Sequence, residues 1–183
     1  MSKAGRPKAD VKKEKVVKNN GKDSVIVIAI TKDFKYIITI QNRINNKLIA
    51  EFPSGYIEDN ENPLDAAKRE LQEETSYKTD SLILLDEAYT SPGIDNSKTY
   101  IVLANNCIKT DELYIGGTEL VDYELFTEKE LKFLIYKNIM NGAMNKLAYY
   151  NLITNTINRN TFIMDEDEHI YKRLRKKKNP FNN

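Results

Sequence analysis

Between residues 24 and 41 the apolar positions crowd into two β-branched runs, SVIVIAIT at 24–31 and YIITIQ at 36–41, separated by the polar tetrad Lys32-Asp33-Phe34-Lys35. Runs of this length and composition predict two strands joined as a β-hairpin. Asn45-Asn46 predicts a turn and Leu48 to Phe52 a further short strand, with Pro53-Ser54-Gly55 expected to end it. The period then lengthens. Asn62 before Pro63 is an N-cap followed by a residue suited to the first helical position, and Leu64, Ala67 and Leu71 recur at helical spacing, so a helix is expected from Pro63 to about Thr75. Strands are expected at Ser81–Tyr89, Thr99–Asn105 and Glu119–Phe126. Thr127-Glu128-Lys129-Glu130 has the form of a capping box opening a helix toward Lys137, and Asn141-Gly142 precedes a last helix carrying Met144, Leu147, Ala148 and Leu152. Helices and strands mix without a regular βαβ alternation and without internal repeats. The pattern therefore predicts an α+β fold or a layered α/β/α sandwich on a mixed sheet.

The chain has 183 residues, enough for one domain with a sizeable core. It is 40% hydrophobic and 30% charged, and no apolar run approaches the ~18 residues needed to span a bilayer, so a membrane role is not expected. Positive charge near Met1 is followed by no apolar segment, which predicts no secretory signal and a cytoplasmic protein. Cys107 is the only cysteine and His169 the only histidine. Disulfide frameworks, Cys/His zinc sites and Cys-His catalysis are thereby excluded, and any metal must be held by oxygen. The net charge of +1 conceals a segregation: residues 1–24 carry +5, residues 172–183 carry +6 and the stretch between them carries −10. This divides the chain into a basic N-terminal tail (1–23), an acidic body (24–158) and a charged, basic C-terminal tail (159–183). Such tails are expected to solubilise, with weak nonspecific nucleic-acid binding as a second role. Gly5-Arg6-Pro7 is similar to a minor-groove-reading AT-hook core, but so short a string arises readily by chance.

Candidate chemistry concentrates on the first predicted helix, in Arg69-Glu70-Leu71-Gln72-Glu73-Glu74. At ~100° per residue Glu70, Glu73 and Glu74 fall within roughly a 100° arc. Like charges at i,i+4 weaken a helix, so Glu70 and Glu74 call for a compensating cation. Mg²⁺ meets that need with hard oxygen ligands and bridges to phosphates. A solvated acidic face relieved by Lys68 and Arg69 is the structural alternative.

Gly55, then Glu61, then Arg69 to Glu74 and Thr75-Ser76-Tyr77, with the spacing between them, resembles the Nudix box of nucleoside-diphosphate-X hydrolases. One position departs: the family has glycine where this chain has Ser76. The resemblance implies a Nudix fold, a mixed sheet between helices, and a box that positions divalent cations. It implies Glu70 and Glu74 as principal metal ligands, Glu73 as an additional one and the Ser54 carbonyl as a further candidate. Arg69 would orient the carboxylates, and the ion would be Mg²⁺, with Mn²⁺ as the substitute. The implied chemistry is attack of water on a pyrophosphate.

Flanking segments over roughly residues 24–155 are similar to the ADP-ribose and ADP-sugar pyrophosphatase subfamily. Gln41-Asn42-Arg43 and Glu51-Phe52-Pro53-Ser54-Gly55 would place Arg43 on the charged part of the substrate and Glu51 near its base. Pro92 falls close to the subfamily's marker proline, and residues 139–149 resemble its closing helix. The segment Ile94-Asp95-Asn96-Ser97-Lys98 lacks the glutamate common there, and the chain ahead of residue 24 is too short and basic for the extra N-terminal layer through which many members dimerise. A homodimer is one candidate assembly. By the resemblance Glu119, after Gly116-Gly117, is the favoured general base, with Glu112, Asp111 and Asp95 as competitors, while His169 lies outside the likeness. The expected reaction is Mg²⁺-dependent cleavage of ADP-ribose or another ADP-sugar to AMP and a sugar phosphate. An enzyme of capped RNA or other nucleotides and a non-catalytic nucleotide-binding module are the alternatives.

Overall fold

The structure, a computed structural model, describes residues 21–42, 48–110 and 121–155. Strand β1 (Ser24–Thr31) runs through the centre of an eight-stranded mixed sheet. It pairs antiparallel with β2 (Tyr36–Asn42), closing the expected hairpin, and parallel with β7 (Lys98–Lys109). β3 (Leu48–Glu51) and β8 (Asp122–Phe126) pair with β2, whereas β5 (Tyr77–Lys78) and β6 (Ser81–Tyr89) pair with β7.

Several boundaries differ from expectation: β7 runs to Lys109, four residues past the expected end at Asn105, and the two-residue β5 is not among the expected strands. Ser54 and Gly55 do not simply end a strand; with Tyr56 they form β4, which pairs antiparallel with β1 in the register Ile26↔Ser54 and Val25↔Gly55. The strand expected from Glu119 is described only from Asp122, and Glu119 lies outside the described residues.

Successive side chains of a strand point to opposite faces, and β1 is apolar on both because both are covered. Ile26 and Ile28 join Ile38, Phe52, Phe126, Leu134 and Leu152 in a core under α2 (Glu128–Tyr136) and α3 (Ala143–Asn155). Val25, Val27 and Ala29 join Ala66, Ala67, Leu71, Val102 and Cys107 under α1 (Pro63–Thr75). The result is the α/β/α sandwich, with the sheet between α1 and the α2–α3 pair. Each fully buried Ile or Leu contributes about 1.5–3 kcal/mol, so the two clusters fix where the three layers meet. Cys107 is sealed in the α1-side core, its Sγ 3.3 Å from the Ala104 carbonyl oxygen, and burial pushes its thiol pKa up to about 11.

The helix ends follow the sequence signals. Asn62 Oδ1 accepts from the Leu64 and Asp65 amides at 3.0 and 3.1 Å, and Pro63 occupies the first turn. Thr127 and Glu130 form the reciprocal capping box. At the other end of α1, Ser76 takes the left-handed conformation (φ 60°, ψ 24°), its N–H donating to the Gln72 carbonyl at 2.9 Å. Its own carbonyl accepts from Thr110 N at 2.8 Å, tying the helix exit to the end of β7. A side chain in this region costs about 1–2 kcal/mol, partly offset by the extra unfolded-state freedom of glycine. Ser76→Gly is therefore expected to stabilise the chain by about 0.5–1 kcal/mol, raising the thermal midpoint by about 1–4 °C. A lower midpoint in a melting scan would show that the serine side chain stabilises that exit.

Candidate active site

The segment from Phe52 to Tyr56 is held from three sides. Phe52 N donates to Asn145 Oδ1 of α3 at 2.7 Å, Val27 N donates to the Pro53 carbonyl at 2.8 Å, and Ser54 N donates to Glu74 Oε2 at 3.0 Å. The last contact sets the Ser54 backbone beside the carboxylate end of α1. Gly55 lies against Glu70 so closely that a Cβ built on it would stand 2.0 Å from the Glu70 carboxyl carbon and Oε1. The glycine is needed here for close approach, since its φ is not positive.

Arg69 gathers the remaining acids. Its Nε and one terminal nitrogen donate to the two Glu61 oxygens, both at 2.9 Å. The other terminal nitrogen donates to Glu70 Oε1 at 2.7 Å and to Glu73 Oε2 at 3.1 Å, and the Tyr56 carbonyl accepts at 2.8 Å. All five guanidinium N–H groups are thus committed. The bidentate hydrogen bond holds the Glu61 carboxyl below the usual range and raises the Arg69 pKa. Glu70 moves the other way: burial pushes its pKa up, against the pull of Arg69, and the Glu73 charge adds to the rise. Glu61, Glu70 and Glu73 share the Arg69 guanidinium, so these three carboxylates with one guanidinium carry a net negative charge.

Among the described residues, no three acidic, histidine or cysteine side chains stand together closely enough to hold a cation as placed. The Arg69 guanidinium lies between Glu61, Glu70 and Glu73 instead. The donor set still suits a hard divalent ion. It is oxygen throughout, it carries an excess of negative charge, and Gly55 leaves the Glu70 carboxylate unobstructed on the side where Ser54 meets Glu74.

Ser54 and Gly55 also border a cavity of about 570 Å³, whose other walls include Ser24, Thr90, Asp95 and Thr99. Its lining includes hydroxyl pairs: Ser24 Oγ lies 2.8 Å from Thr99 Oγ1, and Thr90 Oγ1 lies 3.0 Å from Ser97 Oγ. Asp95 Oδ1 accepts from Ser97 N at 2.9 Å and from Ser97 Oγ at 2.6 Å, which hold its carboxyl below the usual pKa. These hydroxyls carry no sequence signature, because isolated Ser and Thr in loops read as turn residues. Only the pairing of β1 with β7 brings Ser24 to Thr99, across 75 positions.

The other expected site residues are dispersed or lie elsewhere. Glu51 is half-buried in β3, opposite Thr39, whose Oγ1 donates to the Glu51 carbonyl at 3.1 Å. Pro92 is exposed in the β6–β7 connection, where Thr90, Asp95 and Ser97 line the cavity and Pro92 does not. Arg43, Asp111, Glu112, Glu119 and His169 lie outside the described residues.

A model of the NUDIX domain family matches residues 21–146. The chain is 35% identical over 146 residues to the ADP-ribose pyrophosphatase of Bacillus subtilis (strain 168), covering 78% of this chain and 76% of that protein. It is 32% identical over 136 residues to the methanol dehydrogenase activator of Bacillus methanolicus, covering 73% and 72%. Among solved structures, an ADP compounds hydrolase superposes with a TM-score of 0.66 at 22% identity, covering 75% of this chain and 74% of that one. A NUDIX hydrolase from Nitrosomonas europaea gives 0.57 at 15% identity, covering 73% and 89%, so both share the fold. With the box, the sandwich and these likenesses in agreement, the chain belongs to the NUDIX family and is a hydrolase of that family.

Proposed function

We propose that the chain is a Mg²⁺-dependent pyrophosphatase that cleaves ADP-ribose or another ADP-sugar to AMP and a sugar phosphate, with Mn²⁺ able to substitute. The observation that carries this reading is the acidic group gathered by Arg69 against Ser54 and Gly55, two residues that also line the 570 Å³ cavity together with the hydroxyl-bearing Ser24, Thr90, Ser97 and Thr99. That volume lies within the usual range for small-ligand sites. Glu70, Glu73, Glu74 and the Ser54 carbonyl would hold the ion, which when bound neutralises phosphate oxygens and lowers the pKa of a water. Arg69 keeps the carboxylates oriented by its links to Glu61 and the Tyr56 carbonyl. Glu119 is assigned as general base, and Arg43, Glu51 and Pro92 as substrate contacts. Asp95 is the lesser candidate for the base, since the two Ser97 hydrogen bonds favour its ionised form and weaken it as a proton acceptor.

Residues 24–158 form the hydrolase domain on this reading, with basic tails at 1–23 and 159–183 that bind nucleic acid only weakly. Among the described residues no helix is long and apolar enough to cross a membrane; a cytoplasmic location is part of the proposal. A homodimer is the proposed assembly. The deciding experiment is a hydrolysis screen over ADP-ribose, other nucleotide sugars, dinucleoside polyphosphates, NADH and capped RNA, with and without chelator. AMP release from ADP-ribose that stops on chelation is the expected result. Chelator-resistant turnover, or turnover on capped RNA alone, would overturn the proposal.

A further inference from the structure

A second cavity, of about 320 Å³, is lined by Lys32, Lys68, Gln72, Lys78, Thr79 and Asn106, with Asp80 as the one carboxylate among the described residues. At ~100° per residue Lys68 and Gln72 lie on the side of α1 roughly opposite Glu70, Glu73 and Glu74. We propose that this cavity binds a small phosphate-bearing anion of about pyrophosphate size.

Three lysines reach it from three separate places: the end of β1, the middle of α1 and β5. Lys32 and the side-chain amides of Gln72 and Asn106 have no partner among the described residues. Lys68 is tied only to Asp80, at 3.1 Å, and the Asp80 side chain is fully exposed. A solvent-facing pair of this kind contributes little and gives way readily to a bound anion. Among the described residues the lining therefore offers the Lys32 ammonium and two side-chain amides beyond the Lys68–Asp80 pair, the converse of the acidic face across the helix.

The backbone holds this wall in place. Between Ala29↔Ala104 and Thr31↔Cys107 strand β7 gains a residue on β1, and within that bulge Asn106 adopts φ 54°. A bulge re-aims a side chain out of the pleat, and a left-handed non-glycine residue is a conformation the surroundings must impose. Thr79 Oγ1 donates to the Asn105 carbonyl at 2.5 Å and accepts from Ser81 N at 3.0 Å, while Lys78 pairs with Ile108. The bulge, β5 and the turn after it are thus one locked unit. The volume admits one or two phosphate groups with a small attachment, and is too confined for a nucleic-acid duplex.

The test titrates the full chain, held in chelator, with inorganic pyrophosphate, followed by calorimetry and by ¹H–¹⁵N shift mapping. Saturable one-to-one binding is expected, with shifts centred on Lys68, Gln72, Lys78 and Asn106. Lys32→Gln and Lys68→Gln, both at exposed positions, should each weaken it on the order of tenfold. Glu74→Gln should leave it unchanged. Shifts centred on Ser54 and Gly55, or parental affinity in both lysine variants, would overturn the proposal. So would an RNA oligonucleotide that binds through the same lysines as tightly as pyrophosphate, with a steeper salt dependence, because the cavity would then be a diffuse polyelectrolyte patch.

Discussion

Glu74→Gln is expected to lower kcat on ADP-ribose by at least about two orders of magnitude while the thermal midpoint stays within a few degrees of the parent. The change preserves the size of the side chain and the acceptor that meets Ser54 N at 3.0 Å, so the segment from Phe52 to Tyr56 keeps its anchor. What is lost is one negative charge beside Ser54 and, on the proposed reading, a hard ligand for the cation. A raised metal requirement should accompany the loss, visible as a shift of the Mg²⁺ activation curve to higher concentration. Near-parental activity would remove Glu74 from the metal site and leave it only the role of holding Ser54.

Gly55→Ala is expected to abolish activity almost as completely, although no carboxylate is altered. Its Cβ would overlap the Glu70 carboxyl group, at 2.0 Å from the carbon and 2.3 Å from Oε2. The obstructing atoms are the far end of a side chain, so the fold can yield by swinging Glu70 aside. That movement breaks its 2.7 Å contact with Arg69 and removes its oxygens from the site. The discriminating measurement is a double-mutant cycle. In a Glu70→Ala background the alanine at position 55 has nothing to displace, so its further effect on kcat should vanish. Additive losses would mean that Gly55 acts through the backbone of β4 and not through Glu70.

The layers were legible because they follow from periodicity. Leu64, Ala67 and Leu71, the Asn62 cap and the Thr127–Glu130 capping box each carry their own local signal, and the structure honours all of them. The acidic face of α1 was legible for the same reason. β4 was not, because Ser54-Gly55-Tyr56 has the composition of a turn and becomes a strand only through its pairing with β1. Nor was the hydroxyl wall of the cavity, which depends on the parallel β1–β7 pairing and has no trace in local sequence. Asp95 enters from the sequence only as a competitor of Glu119 for the role of base. Its two hydrogen bonds from Ser97, two residues away, are a turn geometry that decides its basicity and that composition does not reveal. The orienting role expected of Arg69 follows from the family resemblance, while its bidentate grip on Glu61 and its bond to the Tyr56 carbonyl required the loop to fold back over the helix.

Cys107 gives the chain a property unrelated to catalysis. It is the sole thiol in the sequence, 2% exposed, and protonated at ordinary pH, so it is shielded from a thiol-directed reagent both by coverage and by lack of thiolate. It sits in β7, the strand that joins β1 to β5 and β6. Alkylation at this atom thus registers opening of the core between α1 and the sheet, and the protein carries within its own interior a single-site clock for how often that core opens.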